Sequence, residues 1–467
     1  MAGKKTDAVV IGAGPGGYVA AIRLAQLGKK VTIVEKENLG GVCLNVGCIP
    51  SKALISAADF YDKLKNQSST MGFEINGDVN VNMKTLVSWK NSVVEKLTGG
   101  IGFLLENRKV EKVTGEASFV SSKEIEVKSK NGTERIKADS FIIATGSRPI
   151  QIPGFEFDGK TIVDSTGALD LETVPEDLVV IGGGFIGVEI GTVFQKLGSK
   201  LTVVEMLDGI LTGSDRDCVK VVERKLKKRK ASILTKTKAK GVKKKGKKLS
   251  VTVETPKGDK DIPADVVLVT VGRRPNTESL NLKAAGVQLD ERGFIKVNKK
   301  LETSAKGIYS IGDVAGGYQL AHKASKEGIV VAEVIAGKKS ELDYQCMPWA
   351  VFSDPEIGQV GMTEEEAKKA GFTPKTGKFQ FSANGRALSI GHAEGFVKVV
   401  GDEKTGLLLG VHIVGPEASD LIASAALGIE MGATVEDVAL TVHTHPTLSE
   451  CVMEAAEDFL GHAIHAV

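Results

Sequence analysis

Two segments of the chain carry the same pattern of apolar and polar positions. Each opens on a short unbroken apolar run, passes through closely spaced glycines, and continues with apolar residues at helical spacing. Each then closes on a second apolar run that ends in a glutamate. The first reads DAVVIGAGPGGYVAAIRLAQLGKKVTIVEK from Asp7, and the second DLVVIGGGFIGVEIGTVFQKLGSKLTVVEM from Asp177. Unbroken apolar runs of this length predict strands buried on both faces, as in a parallel sheet. The helical spacing between them predicts a helix laid across that sheet. The chain therefore reads as α/β, with one strand–turn–helix–strand unit used twice.

The glycines give the turns a chemistry. Gly12, Gly14 and Gly17 form G-x-G-x-x-G between strand and helix, and Gly182, Gly184 and Gly187 repeat it. The first glycine of each set allows the sharp turn, the second lets backbone approach a pyrophosphate, and the third lets helix and strand pack closely. The helix start then offers free N–H groups and a partial positive charge to phosphate. Glu35 lies 18 residues after Gly17, and Glu205 lies 18 residues after Gly187. Each sits where a carboxylate accepts hydrogen bonds from ribose hydroxyls. One such fingerprint is weak evidence, whereas two complete units point to two dinucleotides, one held permanently and one exchanging. Met206, Leu207 and Asp208 follow Glu205 with no arginine, which favours NAD(H) over a nucleotide bearing a 2′-phosphate.

Three further stretches belong to the same picture. FIIATGSRP (Phe141 to Pro149) and VVLVTVGRRPN (Val266 to Asn276) look like matching exits from the two units. GIYSIGDVAG (Gly307 to Gly316) is a strand ending at Gly312-Asp313, where an acid could hold a polyhydroxyl chain such as ribityl. Taken alone, Asp313 reads more plainly as a helix N-cap.

Bulk properties narrow the field. At 467 residues the chain is too long for one core. Glycine, at 54 residues, makes up about 12% against a usual ~7%, an excess that turns and close backbone approaches would use. Net charge is +3, and the lysine-rich stretch Lys220 to Lys248 lacks interleaved aromatics. That stretch reads as a solvated helix face and hairpin tip, not a nucleic-acid site. No apolar run reaches the ~18 residues of a membrane span, and the first strand starts too early for a leader peptide. A cytoplasmic protein is expected, unless a longer precursor was trimmed.

Five cysteines are too few, and odd in number, for a structural disulfide framework. Cys43 and Cys48 alone are close together, in LGGVCLNVGCIPSKALISAADFYDKL. Pro50 suits the first helical position, which would put Cys48 just before a helix N-terminus that favours a thiolate. On the residues alone three readings stand: a redox pair, a zinc site lacking its other ligands, and inert buried cysteines. Cys218, Cys346 and Cys451 have no near partner and read as buried residues. Near the C-terminus, TVHTHPTLSECVMEAAEDFL holds His443 and His445. Either imidazole could take protons near neutral pH. Thr447 and Glu450 have the spacing of a capping box, and Pro446 is a candidate cis residue. No metal site is expected.

GGVCLNVGCIPSK is very similar to the active-site signature of the pyridine nucleotide–disulfide oxidoreductases, and the resemblance covers essentially the whole chain. It is strongest to those members that oxidise protein-bound dihydrolipoamide with NAD+. Val42 departs from the threonine many members carry, without removing a needed group. The resemblance implies a Cys43–Cys48 redox disulfide, with His445 as base and Glu450 orienting it. It implies FAD on Gly12, Gly14, Gly17, Glu35, Lys52, Gly115, Thr145, Gly146, Asp313 and Ala321. NAD would lie on Gly182, Gly184, Gly187, Glu189, Glu205 and Gly272. It further implies a Lys52–Glu189 ion pair beside the flavin and Phe185 over its nicotinamide side, although Phe185 also reads as core packing.

The fold class that follows is α/β: two Rossmann-like dinucleotide-binding domains, for FAD and NAD, plus a C-terminal α+β dimerisation domain. The expected segments are 1–147 for FAD, 148–273 for NAD, 274–345 returning to the FAD domain, and 346–467 for the interface. The resemblance implies a homodimer whose base comes from the partner subunit. Its implied partners are dihydrolipoamide, lipoyl domains and the E2 subunit of 2-oxo acid dehydrogenase complexes, with neither nucleic acid nor membrane. Relatives acting on glutathione or mercuric ion are the competing expectation, but they would want NADPH or further cysteines.

Overall fold

The computed structural model describes residues 4–465. Two compact units emerge: Met1–Leu54, Lys84–Ile150 and Gly272–Asp343 form one, and Ile55–Met83, Gln151–Val271 and Tyr344–Val467 form the other. The predicted nicotinamide and interface segments thus share a unit, and residues 55–83 leave the predicted flavin segment to join them.

The first unit is built on a seven-stranded sheet. Lys4–Ile11 lies at its centre, parallel to Val31–Glu35 and to Gly132–Ile143. Glu111–Thr114 and Ile308–Ser310 extend the parallel part, while Glu124–Ser129 and Glu116–Ser121 add an antiparallel edge. Side chains alternate across a strand. Val9 and Ile11 therefore enter one core with Phe141 and Ile143, while Ala8 and Val10 enter the other with Ile142. Two buried faces account for the unbroken apolar run. Helix Pro15–Gln26 packs on helix Ala321–Ile335 through small residues. A Cβ on Gly328 would lie 2.6 Å from the Gly16 carbonyl oxygen, so the two backbones nearly touch.

The second unit repeats the parallel arrangement in Ser232–Leu234, Lys200–Val204, Asp177–Ile181, Val266–Val269 and Ile162–Val163. A three-stranded antiparallel sheet, Lys238–Lys245, Lys248–Thr255 and Gly258–Ala264, follows. The lysine-rich stretch is the last turns of helix Arg216–Lys228 and the tip of that first hairpin. The C-terminal part is a five-stranded sheet covered by helices Ala418–Glu430 and Glu450–Leu460, the α+β arrangement expected.

Charge holds the second unit's segments together. Arg229 grips both oxygens of Asp62, at 2.7 and 2.6 Å, and reaches Asp354 at 3.1 Å. Lys196 bridges Asp354, at 3.1 Å, and Asp59. Lys398 of strand Phe396–Asp402 binds Asp215, the N-cap of helix Arg216–Lys228, at 2.6 Å. These contacts explain why residues 55–83 and the C-terminal segment group with residues 151–271. Among the described residues, three carboxylates converge as a metal site would require only at Glu176, Asp177 and Asp265. There Lys248 supplies the positive charge, at 2.5 to 3.5 Å from all three.

One stretch is more apolar than the sequence reading allowed. Gly41–Asn66 reaches a mean hydropathy of 1.3 over an 18-residue window. It is two helices, Gly41–Val46 and Cys48–Asn66, broken at Gly47, whose backbone is far from helical at φ −139° and ψ −110°. A membrane span needs one unbroken helix of ~20 residues, because lipid cannot satisfy freed backbone groups.

Asp62 predicts a pH dependence. Burial pushes its carboxyl upward, but the Arg229 hydrogen bonds and charge, with Asn66 and Lys196, outweigh this and hold it below the ordinary carboxylate range. Its contribution is present above the unfolded value near ~4 and is lost as pH falls through the depressed native value. Asp62→Asn should therefore lower the urea midpoint at pH 7 by about 3 kcal/mol equivalent. The gap from the parent chain should narrow as pH falls below the ordinary carboxylate value of ~4 and close once the native carboxyl is protonated. A gap that stays constant on acidification would show that the ion pair is not its source.

Candidate functional site

The two glycine turns have nearly identical geometry. Gly12 and Gly182 sit at φ +101° and +103°, and a Cβ on them would lie 2.4 and 2.5 Å from the carbonyl oxygens of Ala144 and Thr270. A Cβ on Gly17 or Gly187 would lie 1.9 or 2.3 Å from the carbonyl of the turn's own first glycine. Protein backbone fills these four places. Gly14 and Gly184 differ: each is the extended N-cap of its helix, and an added Cβ would meet nothing within 4 Å. The surrounding protein does not require a missing side chain there, whereas a phosphate lying against the first helical N–H groups would.

The acids are clamped alike. Glu35 accepts from the Ala13 N–H at 2.7 Å and the Glu37 N–H at 2.8 Å, one on each oxygen. Glu205 accepts from the Gly183 N–H at 2.7 Å and the Leu207 N–H at 2.8 Å in the same way. Each oxygen keeps a lone pair for a ribose hydroxyl. Met206 and Leu207 follow Glu205 in sequence and are exposed, so the residues next along the chain bring no cation to offset the carboxylate against a 2′-phosphate. The residues present fit a dinucleotide at each turn.

The other predicted flavin residues surround the first turn. The Gly115 N–H donates to the Glu35 carbonyl at 2.9 Å. The two exit segments pair as antiparallel strands, Ser147–Pro149 with Arg273–Pro275. Thr145 Oγ1 donates to the Asn276 carbonyl at 2.8 Å, and the Gly146 carbonyl accepts from the Asn276 N–H at 3.0 Å. Gly272 belongs to this crossing, its carbonyl accepting from Ile150 at 3.0 Å, and so falls in the first unit, not with Gly182, Gly184 and Gly187.

Asp313 is no helix N-cap. It lies inside the 3₁₀ turn Gly312–Ala315, and one carboxylate oxygen accepts from Ser147 Oγ at 2.5 Å. Arg273 Nε in turn donates to Ser147 Oγ at 2.8 Å. Sequence reading missed both Ser147 and Arg273; their only signal was membership of the two matching exits. Ala321 opens helix Ala321–Ile335. In the second unit Glu189 is buried and accepts from the Phe352 N–H at 2.9 Å, while Phe185 is 42% exposed and so is not a core residue.

The cysteine segment rests on the first turn. The Gly40 N–H donates to the Ala13 carbonyl at 2.8 Å, and a Cβ on Gly41 would lie 2.7 Å from the Gly14 Cα. Cys43 lies in helix Gly41–Val46. Cys48 is itself the first residue of helix Cys48–Asn66, with Pro50 third, instead of preceding a helix that opens on Pro50. The shift costs no hydrogen bond, because the first turn has unpartnered N–H groups anyway. The two cysteines are not joined in a disulfide; Cys43 is half-buried and Cys48 exposed. The hydrogen bond with Cys48, then burial and the Cys48 charge, push the Cys43 thiol far up, against the pull of the Lys52 ammonium. The two sulfurs are thus placed differently: Cys43 is held toward its protonated form by its neighbour, and Cys48 opens a helix. Burial, chiefly, raises Cys346 to about 11 and Cys451 to about 12 and also raises Cys218, so these three are poor nucleophiles.

The two histidines separate clearly. His445 Nδ1 lies 2.9 Å from Glu450 Oε1, whereas His443 Nδ1 faces only the Thr441 carbonyl at 2.8 Å. The other Glu450 oxygen accepts from the Thr447 N–H at 2.7 Å. Glu450 is the first residue of its helix and Ser449 the cap, so only half of a capping box forms. Burial raises the Glu450 carboxyl, but the Thr447 and His445 hydrogen bonds and the charges of His445 and His443 hold it below its usual value. The His445–Pro446 peptide is cis. His445 is 79% exposed. A second such pair, His465 Nδ1 with Glu454 at 2.7 Å, had no sequence signal.

Comparison with known proteins agrees with this geometry. Residues 6–328 match the pyridine nucleotide-disulphide oxidoreductase family, and residues 347–456 match that family's dimerisation domain. Dihydrolipoyl dehydrogenase of Thermus scotoductus is 52% identical over 99% of both chains. The same enzyme of Geobacillus stearothermophilus is 50% identical over 99% of this chain and 98% of its own. Among solved structures, LpdA from Mycobacterium tuberculosis superposes with a TM-score of 0.90 at 28% identity, over 97% of this chain and 99% of its own.

The open space at Gly184 yields a direct test. Gly184→Val should fold normally, since the backbone there is extended and an added Cβ meets no protein atom within 4 Å. Its thermal midpoint should stay within about 2 °C of the parent's. NADH affinity by fluorescence titration should fall at least about tenfold, because the side chain stands where phosphate would bind. Unchanged affinity would remove the turn from the nucleotide site.

Proposed function

The chain belongs to the pyridine nucleotide-disulphide oxidoreductases, and from that premise we propose that it oxidises protein-bound dihydrolipoamide to lipoamide, delivering two electrons through Cys43, Cys48 and FAD to NAD+. The observation that carries this reading is the Cys43 and Cys48 segment seated on the first glycine turn, in a chain about half identical to dihydrolipoyl dehydrogenases along its length.

The chain's own groups divide the work. Glu450, held ionised, accepts a hydrogen bond from His445 Nδ1–H and so leaves Nε2 free to take a proton. A substrate thiol loses its proton to Nε2, and the thiolate attacks Cys43 in the disulfide form of the pair. The Cys43–Cys48 bond breaks and Cys48 leaves as thiolate, the form its place at a helix start favours. The second substrate thiol displaces Cys43, closing the lipoamide disulfide, and Cys43 is protonated. FAD, held on Gly12, Gly14, Gly17 and Glu35, would supply the two-electron acceptor that returns Cys43 and Cys48 to the disulfide and the hydride donor for NAD+. Lys52, whose charge already acts on Cys43, would tune charge near the flavin.

We place the base on the opposite copy of a twofold homodimer, which fits a His445 that is 79% exposed within one chain. Lipoyl domains and the E2 subunit of a 2-oxo acid dehydrogenase complex are the partners this chemistry requires. A glutathione-type reductase fits less well, because the stretch after Glu205, Met206 to Asp208, offers no arginine to a 2′-phosphate.

Cys48→Ser should abolish NAD+ reduction by dihydrolipoamide, a loss of at least about 10³-fold, while the purified protein stays yellow. Retained turnover would take the pair out of the reaction. His445→Gln should slow dihydrolipoamide oxidation by about 10²-fold or more but leave NADH oxidation by an artificial acceptor nearly unchanged. Equal losses in both assays would exclude a base role.

A further inference from the structure

The turn that presents Asp313 is tied at both ends by one buried ion pair. Lys323 and Glu327 lie one turn apart on helix Ala321–Ile335, 2.8 Å from each other, with side chains only 5% and 3% exposed. Glu327 Oε2 accepts from the Gly312 N–H at 2.7 Å, and Lys323 Nζ donates to the Gly316 carbonyl at 2.7 Å. Gly312 and Gly316 bracket Gly312–Ala315, the 3₁₀ turn that contains Asp313. Both glycines have positive φ, +72° and +78°, so little in their own backbone preference holds the turn in place.

A buried ion pair is a poor way to gain stability, since well-packed apolar residues of similar volume usually do as well or better. An apolar pair could not accept from one end of a turn and donate to the other. On the other side, Ser147, itself held by Arg273, engages one Asp313 oxygen and leaves the second free. The carboxylate is thus oriented by one network, and its backbone is placed by another.

We propose that Lys323 and Glu327 are positioning residues for Asp313, fixing the turn so that its free carboxylate oxygen meets the hydroxyls of the flavin side chain. This rests on the reading of Asp313 as a flavin contact. Neither residue touches the cofactor; each acts through the backbone of Gly312–Ala315.

The test uses purified holoenzyme and follows FAD release by the gain in free-flavin fluorescence. Lys323→Met with Glu327→Leu keeps the volume and removes both ties. It should lower the urea midpoint, since the Gly312 N–H and the Gly316 carbonyl lose their buried partners, and speed FAD release about tenfold, the equivalent of one charge-assisted hydrogen bond. Lys323→Met with Glu327→Gln keeps an acceptor for Gly312 and should fall between. In an Asp313→Ala background the same double change should add less than about twofold, since no carboxylate remains to be positioned. If Lys323→Met with Glu327→Leu does not fold, Glu327→Gln alone, which leaves Lys323 without its counter-charge, should still speed release about threefold. Unchanged FAD release, or an equal acceleration with and without Asp313, would overturn the proposal. FAD release that Asp313→Ala leaves unaffected would instead overturn the reading of Asp313 on which it rests.

Discussion

The contact on which both nucleotide turns depend is backbone against backbone. At Gly17 and Gly187 the helix approaches the preceding turn so closely that one added carbon would lie about 2 Å from a carbonyl oxygen. That approach aims the first N–H groups of the helix outward past Gly14 or Gly184. It also brings the second strand close enough for its terminal glutamate to accept from the turn's own amides. In the first unit the cysteine segment is added to this frame, seated through Gly41 on Gly14. Loosening the glycine contact would therefore disturb phosphate binding, ribose recognition and the placement of the redox pair together.

Charge in the interior of this protein serves mainly to place backbone. Asp62, Arg229, Asp354 and Lys196 join stretches of the second unit that are far apart in sequence. Lys323 and Glu327 hold a short turn whose glycines could otherwise vary. Glu450 divides its two oxygens between a backbone amide and an imidazole, anchoring His445 to its own helix. Buried or half-buried charges are expensive, and they recur here where an apolar contact would leave a direction unspecified.

The thiol pair follows the same logic. Its two members are chemically identical residues made unequal by where the chain puts them. Cys43 lies half-buried in one short helix and holds its proton against its neighbour, whereas Cys48 opens the next helix. A single glycine between the helices, with a backbone conformation neither could accept, produces that difference.

The sequence by itself determined whatever is encoded within about thirty residues. The glycine spacing, the apolar runs and the closing glutamate specify a local unit, and an acid 18 residues beyond the third glycine has few places to go but the turn. The closeness of Cys43 and Cys48 was legible for the same reason. Tertiary structure alone decided the rest. Ser147 and Asp313 are 166 residues apart, and Arg229 and Asp62 are 167 apart; no local pattern links them. Asp313 read as a helix cap because its neighbours in sequence allow one, while its actual partner arrives from another strand exit. On residue pattern alone His443 and His445 were equivalent; what separates them is the direction each ring faces, toward a carbonyl or toward Glu450, which two residues of spacing cannot convey. Periodicity reports which face of an element is buried, but a hydrogen bond is made by atoms that meet only after the chain has folded.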